Sequence, residues 1–401
     1  MINKSRVLVV ASEYPAPDRA SGDVRFFSLL AMLSEAYEIS FCAIAQSGQV
    51  ERFGAPDAQR YESDLKKLGI KVLHPGVARA LREGSFDAVL FEFHYVARNF
   101  IEDVRVYQPE ARIIVDSVDV AFHRLLSKAK VTGSKIDYDD ALRVKASELA
   151  VYQAADVVVT VTQEDTDILL MEDPSLPTVT MPNIHALHEP VKLTAESGNR
   201  LVFVGSFIHE PNVDAMCYFC GNILPLIAEA VPEVRLRIIG NAPPPEIAQL
   251  ATERVEVLGY VAETKPFLET SAISIAPLRF GAGMKGKIGE AMSFGLPVVT
   301  TTVGVEGFGL TPGKDVLVGD TPEEFASAVV SLLRDTTLWA KVGTAGFEFI
   351  RDNYSEPVVR RAVYSFFDDL GAYPVKRIPI YRLAWGKLKG LVERHLSWRL
   401  K

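Results

Sequence analysis

The feature that most constrains this 401-residue chain is an alternation of short β-branched runs with longer amphipathic stretches, which completes one series and then starts again. Strand-like runs of the first series fall at 6–11, 38–43, 72–73, 87–91, 112–115 and 156–161. Helical patterns occupy 23–33, 58–68, 97–107, 138–154 and 164–170. Each helix carries the chain back to the same end of the sheet, so the strands pair in parallel and the sheet is doubly wound. A polar stretch containing Pro177, Pro182 and Pro190 and ending at Gly198-Asn199 reads as a linker. The count then restarts, with strands at 200–204, 235–239, 255–258, 272–276, 298–301 and 316–318. Helices of this second series are expected at 213–230, 246–250, 285–294, 322–333 and 338–352. The reading is α/β, with two Rossmann-like domains spanning 1–190 and 199–355. Open α/β sheets bind ligands beyond the carboxyl ends of their strands, so a cleft shared by the two domains is the expected site.

Composition narrows the class. With 48% hydrophobic and 23% charged residues, the chain has the profile of a soluble globular protein. No run approaches the roughly 20 apolar residues of a membrane span. The opening residues lead straight into Val7-Leu8-Val9-Val10, which is short, has no small-residue cleavage site, and reads as a first strand, not a signal peptide. Three cysteines give no disulfide framework, and a cytoplasmic setting is expected. Charge is uneven. Residues 373–401 hold eight Lys/Arg against Glu393 in a chain of net charge −8, so the body is acidic and nucleic acid is not an expected partner. Within the tail, 371–401, Ala384, Leu388, Leu391, Val392 and Leu396 recur at helical spacing among Lys387, Lys389, Arg394 and Arg399. Such a segment suits either an anionic membrane surface, through 381–400, or a protein face on which the helix docks.

The most informative segment is 280–301. A strand ends, Gly281 and Gly283 make a glycine-rich turn, and a helix opens near Lys285. Glycines admit close approach of a ligand, and the free N–H groups of a first helical turn favour anions. Lys285 and Lys287 add positive charge suited to a diphosphate, and Glu290, one turn on, is placed to accept from two ribose hydroxyls. The plainer alternative is a turn followed by a favourable helix-dipole charge. Gly281, Gly283 and Gly286 also spell G-x-G-x-x-G, with Glu306 twenty residues on. Dinucleotide enzymes carry that spelling at the first strand–helix turn, whereas here it follows a domain's fourth strand, so a dehydrogenase is not expected.

The run from Lys287 through Glu290-Ala291-Met292-Ser293-Phe294-Gly295-Leu296-Pro297 to Gly307 resembles the donor-binding motif of retaining GT-B glycosyltransferases, most closely family four (glycosyl transferases group 1). Leu201 to Ser206, Pro211 to Ala215, Asp315 to Val318 and Asp352 to Ser355 resemble neighbouring elements of that family, and the resemblance covers most of 200–355. It implies a GT-B fold, with 356–370 crossing back onto the N-terminal domain. It also implies a nucleotide-sugar donor held by Gly22, Gly205, Ser206, Tyr260, Gly283, Met284, Lys285, Lys287 and Glu290. Lys287, Glu290 and Asp119 are the implied catalytic residues, with Arg25, His94, His123 and Arg124 on the acceptor side. Ala282 stands where the family often has a second glutamate, Ser206 lies in place of the usual Arg and Lys, and Val118 replaces a histidine.

Other motifs read more simply. Asp137-Tyr138-Asp139 sits at a helix start, where acids complement the dipole. Cys217 and Cys220 fall on one helix and suit core packing. No metal and no cofactor are expected. The functional expectation is a retaining transferase acting on a glycan or lipid-linked acceptor in surface polysaccharide or glycolipid assembly, peripheral on the inner face of a membrane. A sugar-nucleotide epimerase and a non-catalytic nucleotide-sugar-binding scaffold are the alternatives.

Overall fold

The computed structural model describes residues 4–74, 76–194 and 197–377, so the basic segment 381–400 lies outside the described residues. Seven strands form the first sheet: β1 (Arg6–Ala11), β2 (Glu38–Ala43), β3 (Lys71–Val72), β4 (Ala88–Glu92), β5 (Arg112–Asp116), β6 (Val157–Thr160) and β7 (Thr178–Thr180). Six form the second: β8 (Arg200–Val204), β9 (Arg235–Ile239), β10 (Val255–Gly259), β11 (Ile273–Ala276), β12 (Val298–Thr300) and β13 (Leu317–Val318). Both are wholly parallel. Their orders, β3-β2-β1-β4-β5-β6-β7 and β10-β9-β8-β11-β12-β13, each reverse direction between the first and fourth strand. A topological switch point, where a crevice opens, therefore lies between β1 and β4 and again between β8 and β11.

Parallel strands covered on both faces carry continuous apolar runs, and β1 shows the division of labour. Val7 and Val9 pack in the core on one face of the first sheet. Leu8 and Val10 pack in the core on the other. The second sheet shares one large core with its helices. The strand β7 lies inside the stretch read as linker. Three residues between Pro177 and Pro182 carry little periodicity, yet Met181 N donates to Thr160 O, and the Thr160, Thr166 and Thr180 hydroxyls bond across the edge. The helix Ala121–Thr132 also escaped the sequence reading. Its first turn is capped from a distance, the Ala121 and Phe122 N–H groups donating to the Glu148 carboxylate at 3.1 and 3.0 Å.

The stretch Glu210–Ala230 is long and apolar enough to cross a membrane by composition. It nevertheless places Ala215, Met216, Phe219, Ile223, Leu224 and Ile227 in the core of the second domain. A π-turn at Phe219–Ile223 interrupts it just before Pro225, whose ring and missing N–H do not fit an unbroken α-helix.

Two connections at the rear of the cleft are a backbone bridge and a crossing helix. His185 bridges in parallel to Ser355, its N–H donating to Tyr354 O at 2.9 Å. The helix Glu356–Asp368 then places Val359, Val363, Phe366 and Phe367 in the core of the first domain. The buried His185 ring lies against Gly289 so closely that a methyl there would overlap it. Gly289→Ala should lower stability by about 1–3 kcal/mol through this overlap. Gly221→Ala, whose methyl meets nothing within 4 Å, should not. Urea denaturation of the two variants checks the contrast.

Candidate active site

The two switch points face each other, and their contact is made through glycines. A methyl on Gly286 would collide with the Ser21 side chain at the start of the helix Ser21–Ala36. One on Gly283 would lie 3.4 Å from both Asp119 Cβ and the Val118 carbonyl, and Gly283 has φ +64°, open to glycine without strain. Gly22 stands 3.7 Å from Val118 by the same measure. Val118 and Phe93, which follow β5 and β4, both have positive φ (60° and 69°), a costly conformation for such side chains.

On the C-terminal side, Thr300 and Thr301 hydroxyls donate to the Ala276 and Leu278 carbonyls at 2.7 and 2.6 Å, fixing the chain that leaves β11. The helix Gly286–Ser293 follows, with Lys285 at its N-cap and no side chain capping its first turn. Lys287 lies over the Phe203 ring, 5.6 Å from Nζ to centroid, and beside Gly205. Burial, with the Lys285 charge second, pushes the Lys287 ammonium down to about 8, against Glu290. Burial raises the Glu290 carboxyl above its usual value, opposed by a hydrogen bond from Thr264 and by Lys287. The Lys285 ammonium is buried, 3.5 Å from a Glu306 oxygen, and burial lowers its pKa despite Glu306 and Asp165. Ser206 is buried and its carbonyl accepts from Asn212 at 2.6 Å. The Met284 side chain belongs to the domain core, while its carbonyl accepts from Asn183 at 3.3 Å.

On the N-terminal side, Asp119 pairs with Arg124 at 2.6 Å. His123 lies near Lys285 and Glu306, and burial lowers its pKa. His94 Nδ1 is 3.6 Å from Glu148, which burial raises to about 7. Arg25 is not a cleft surface residue. It is 2% exposed, bonded to Asp116 at 2.7 Å and to the Met181 carbonyl, and it ties the first helix to β5. Two carboxylates at the crevice escaped the sequence reading. Glu92 ends β4, is 6% exposed, and is raised well above the usual range by burial and then by Asp23 and Asp116. Burial raises Asp23, in the first turn of the helix Ser21–Ala36, to about 7. A charge closing an apolar run, as in Val89-Leu90-Phe91-Glu92, was the available signal.

Tyr260 spans the mouth of the cleft. Its hydroxyl donates to Asp18 at 2.7 Å, and the Arg19 guanidinium lies 3.6 Å over its ring. Arg60 and Asp57 extend this network, pairing with Asp18 at 2.7 Å and with Arg19 at 2.6 Å. The residue expected to hold a base therefore joins the two domains in this structure.

Residues 198–335, about a third of the chain, match the family Glycosyl transferases group 1. An uncharacterized 44.6 kDa protein in the cps region of Klebsiella pneumoniae is 23% identical over 174 residues, which is 41% of this chain and 45% of that protein. The match thus spans less than half of that relative. TarM from S. aureus, solved with UDP, fondaparinux and alpha-GlcNAc-glycerol, is 15% identical with a TM-score of 0.59, over 73% of this chain and 58% of TarM. Anabaena HepE, solved with UDP and glucose, is 12% identical with a TM-score of 0.66, over 90% of this chain and 99% of HepE. The two parallel-sheet domains facing a cleft are a GT-B fold.

Two tests probe the geometry. An anionic diphosphate needs the charged form of Lys287, whose free-state pKa is about 8. UDP affinity should therefore fall about tenfold from pH 7 to pH 9, while Lys287→Ala binds weakly with a flat profile. Isothermal titration across that range reads the difference. A double-mutant cycle of Asp18→Asn and Tyr260→Phe in urea should show a coupling of about 1 kcal/mol. Strict additivity would mean the contact contributes nothing to holding the cleft.

Proposed function

We propose that this chain is a glycosyltransferase that moves a hexosyl or similar group from a nucleoside-diphosphate sugar to a hydroxyl of a glycan or lipid-linked acceptor, with retention of configuration. The observation that carries the reading is the placement of Lys287 and Glu290 one turn apart. They lie on a helix whose uncapped start faces the N-terminal switch point, within the segment that matches the transferase family. In the reaction, the C–O bond between the sugar and the diphosphate breaks, a C–O bond to the acceptor oxygen forms, and the hydroxyl proton passes to the leaving nucleoside diphosphate, on which negative charge develops. Lys287, Lys285 and the free N–H groups of the first helical turn are preorganised to stabilise that charge in a partly dry cleft. Glu290 accepts the ribose hydroxyls. Gly205, with Lys287 Cε and Asn212 against it, leaves room only for backbone beside the phosphates.

The acceptor enters from the N-terminal crevice, past Asp119, Glu92 and Asp23. TarM was solved with UDP and glycan molecules together, and HepE with UDP and glucose, which supports donor and acceptor ligands of this chemistry. Retention follows the resemblance of 287–307 to retaining enzymes. The basic segment 381–400, by its sequence, suits an anionic membrane surface on the cytoplasmic side, where a lipid-linked acceptor in polysaccharide assembly would lie.

The test is a thermal-shift screen of UDP-, GDP-, ADP- and TDP-sugars on wild type and Glu290→Ala. One nucleotide at 100 times its Kd should stabilise the wild type by about 2.7 kcal/mol and the variant far less. The identified donor is then incubated with and without acceptors. Sugar transfer supports the reading, donor turnover without acceptor replaces it with an epimerase, and binding without either leaves a nucleotide-sugar scaffold.

A further inference from the structure

A second concentration of charge sits at the other end of the C-terminal domain. Because β8, β9 and β10 are parallel, their first residues share one end of the sheet, away from the carboxyl ends that face the cleft. At that end a cavity of about 250 Å3 is lined by Arg200, Arg235, Arg237 and Arg254, together with Glu253 and Glu256. Arg200 and Arg235 open β8 and β9 and are register partners. Arg237 and Glu256 are partners in the next strand pair and form an ion pair at 3.4 Å.

Three of the guanidiniums are oriented by neutral groups. Arg235 donates to the Glu253 carbonyl, and Arg254 to the carbonyls of Pro232 and Val234. Arg237 donates to Thr270 Oγ1 at 2.9 Å and lies 5.7 Å from the centroid of Phe267. A guanidinium has five donors, so these bonds fix its plane and leave it able to donate further. Neutral carbonyls and hydroxyls do not offset its charge. Among the described residues that line it, arginines outnumber carboxylates even with Arg200 set aside, in a chain whose net charge is −8.

We propose that this cavity is an anion site for a small phosphoryl-bearing molecule, separate from the cleft. Planar guanidinium forks match phosphate oxygens two at a time, and arginines already held in place lose little freedom on binding. A bound anion ties the loops before β9 and β10 to the start of β8. Its phosphoryl group comes either from a molecule free in solution or from a lipid headgroup, the recognising chemistry being the same.

Equilibrium dialysis of inorganic pyrophosphate against the full-length protein at pH 7 tests the site. Wild type should hold two anions, and Lys287→Ala should keep one. Arg235→Gln should weaken that one about tenfold, the loss of one charged hydrogen-bonding group, while the cleft site is unchanged. Arg254 also holds two carbonyls, so Arg254→Gln counts only with wild-type circular dichroism. Arg235 is exposed, and its variant keeps the test decisive. Loss of all binding in Lys287→Ala overturns the proposal, as does binding in that background that Arg235→Gln leaves unchanged. Flotation with phosphatidylglycerol vesicles then separates the sources. Weaker flotation of Arg235→Gln than of wild type assigns the lipid headgroup. Equal flotation, with pyrophosphate binding still dependent on Arg235, assigns the free molecule.

Discussion

The cleft depends on a glycine-lined backbone packed so closely on N-terminal side chains that it carries none of its own. The helix Gly286–Ser293 and the turn before it touch the N-terminal half through Gly283 against Val118 and Asp119, Gly286 against Ser21, and Gly289 against His185. At Gly286 and Gly289 a single methyl would overlap its neighbour, and at Gly283 the positive φ disfavours any side chain. Because the first turn of this helix is fixed in that way, its N–H groups, Lys287 and Glu290 face one direction, into the crevice between the two switch points. The crossing helix Glu356–Asp368 and the His185–Ser355 bridge hold the rear of the same joint.

That geometry withdraws charge from water. Lys285, Lys287 and Glu290 are each shifted toward their neutral forms, with burial the largest cause in every case. A cationic pair shifted in this direction is relieved by an anion, which makes the cleft an electrostatic receptor before any ligand arrives. The N-terminal side is built differently. There the deeply buried Arg25 is held by Asp116, while Glu92 and Asp23 are shifted toward protonation. One wall thus favours an anion and the other offers carboxyl groups that donate as well as accept, an asymmetry suited to a phosphorylated donor and a hydroxylated acceptor.

Much of the fold was legible because its signals are local. The β-branched runs that became β1, β2, β8 and β9 need only their own residues to declare themselves, and the glycine turn before Lys285 is spelled out in six positions. What escaped was decided at a distance. The strand β7 exists because β6 offers an open edge. The helix Ala121–Thr132 begins where it does because Glu148 caps it. Arg25 was placed on the acceptor side by resemblance alone, and the packing that brings Asp116 beneath the first helix turned it inward.

The sequence by itself determined the two-domain alternation, the glycine-led helix Gly286–Ser293 and the charges it carries. These follow from periodicity and from residue types that act within one turn or one strand. The tertiary structure alone decided which of those charges are buried, that Tyr260 bonds across the cleft to Asp18, and that four arginines separated by up to 54 positions meet at one end of a sheet. The physical reason is that burial and pairing are properties of the space between elements, and parallel strands bring together residues whose proximity no local pattern encodes.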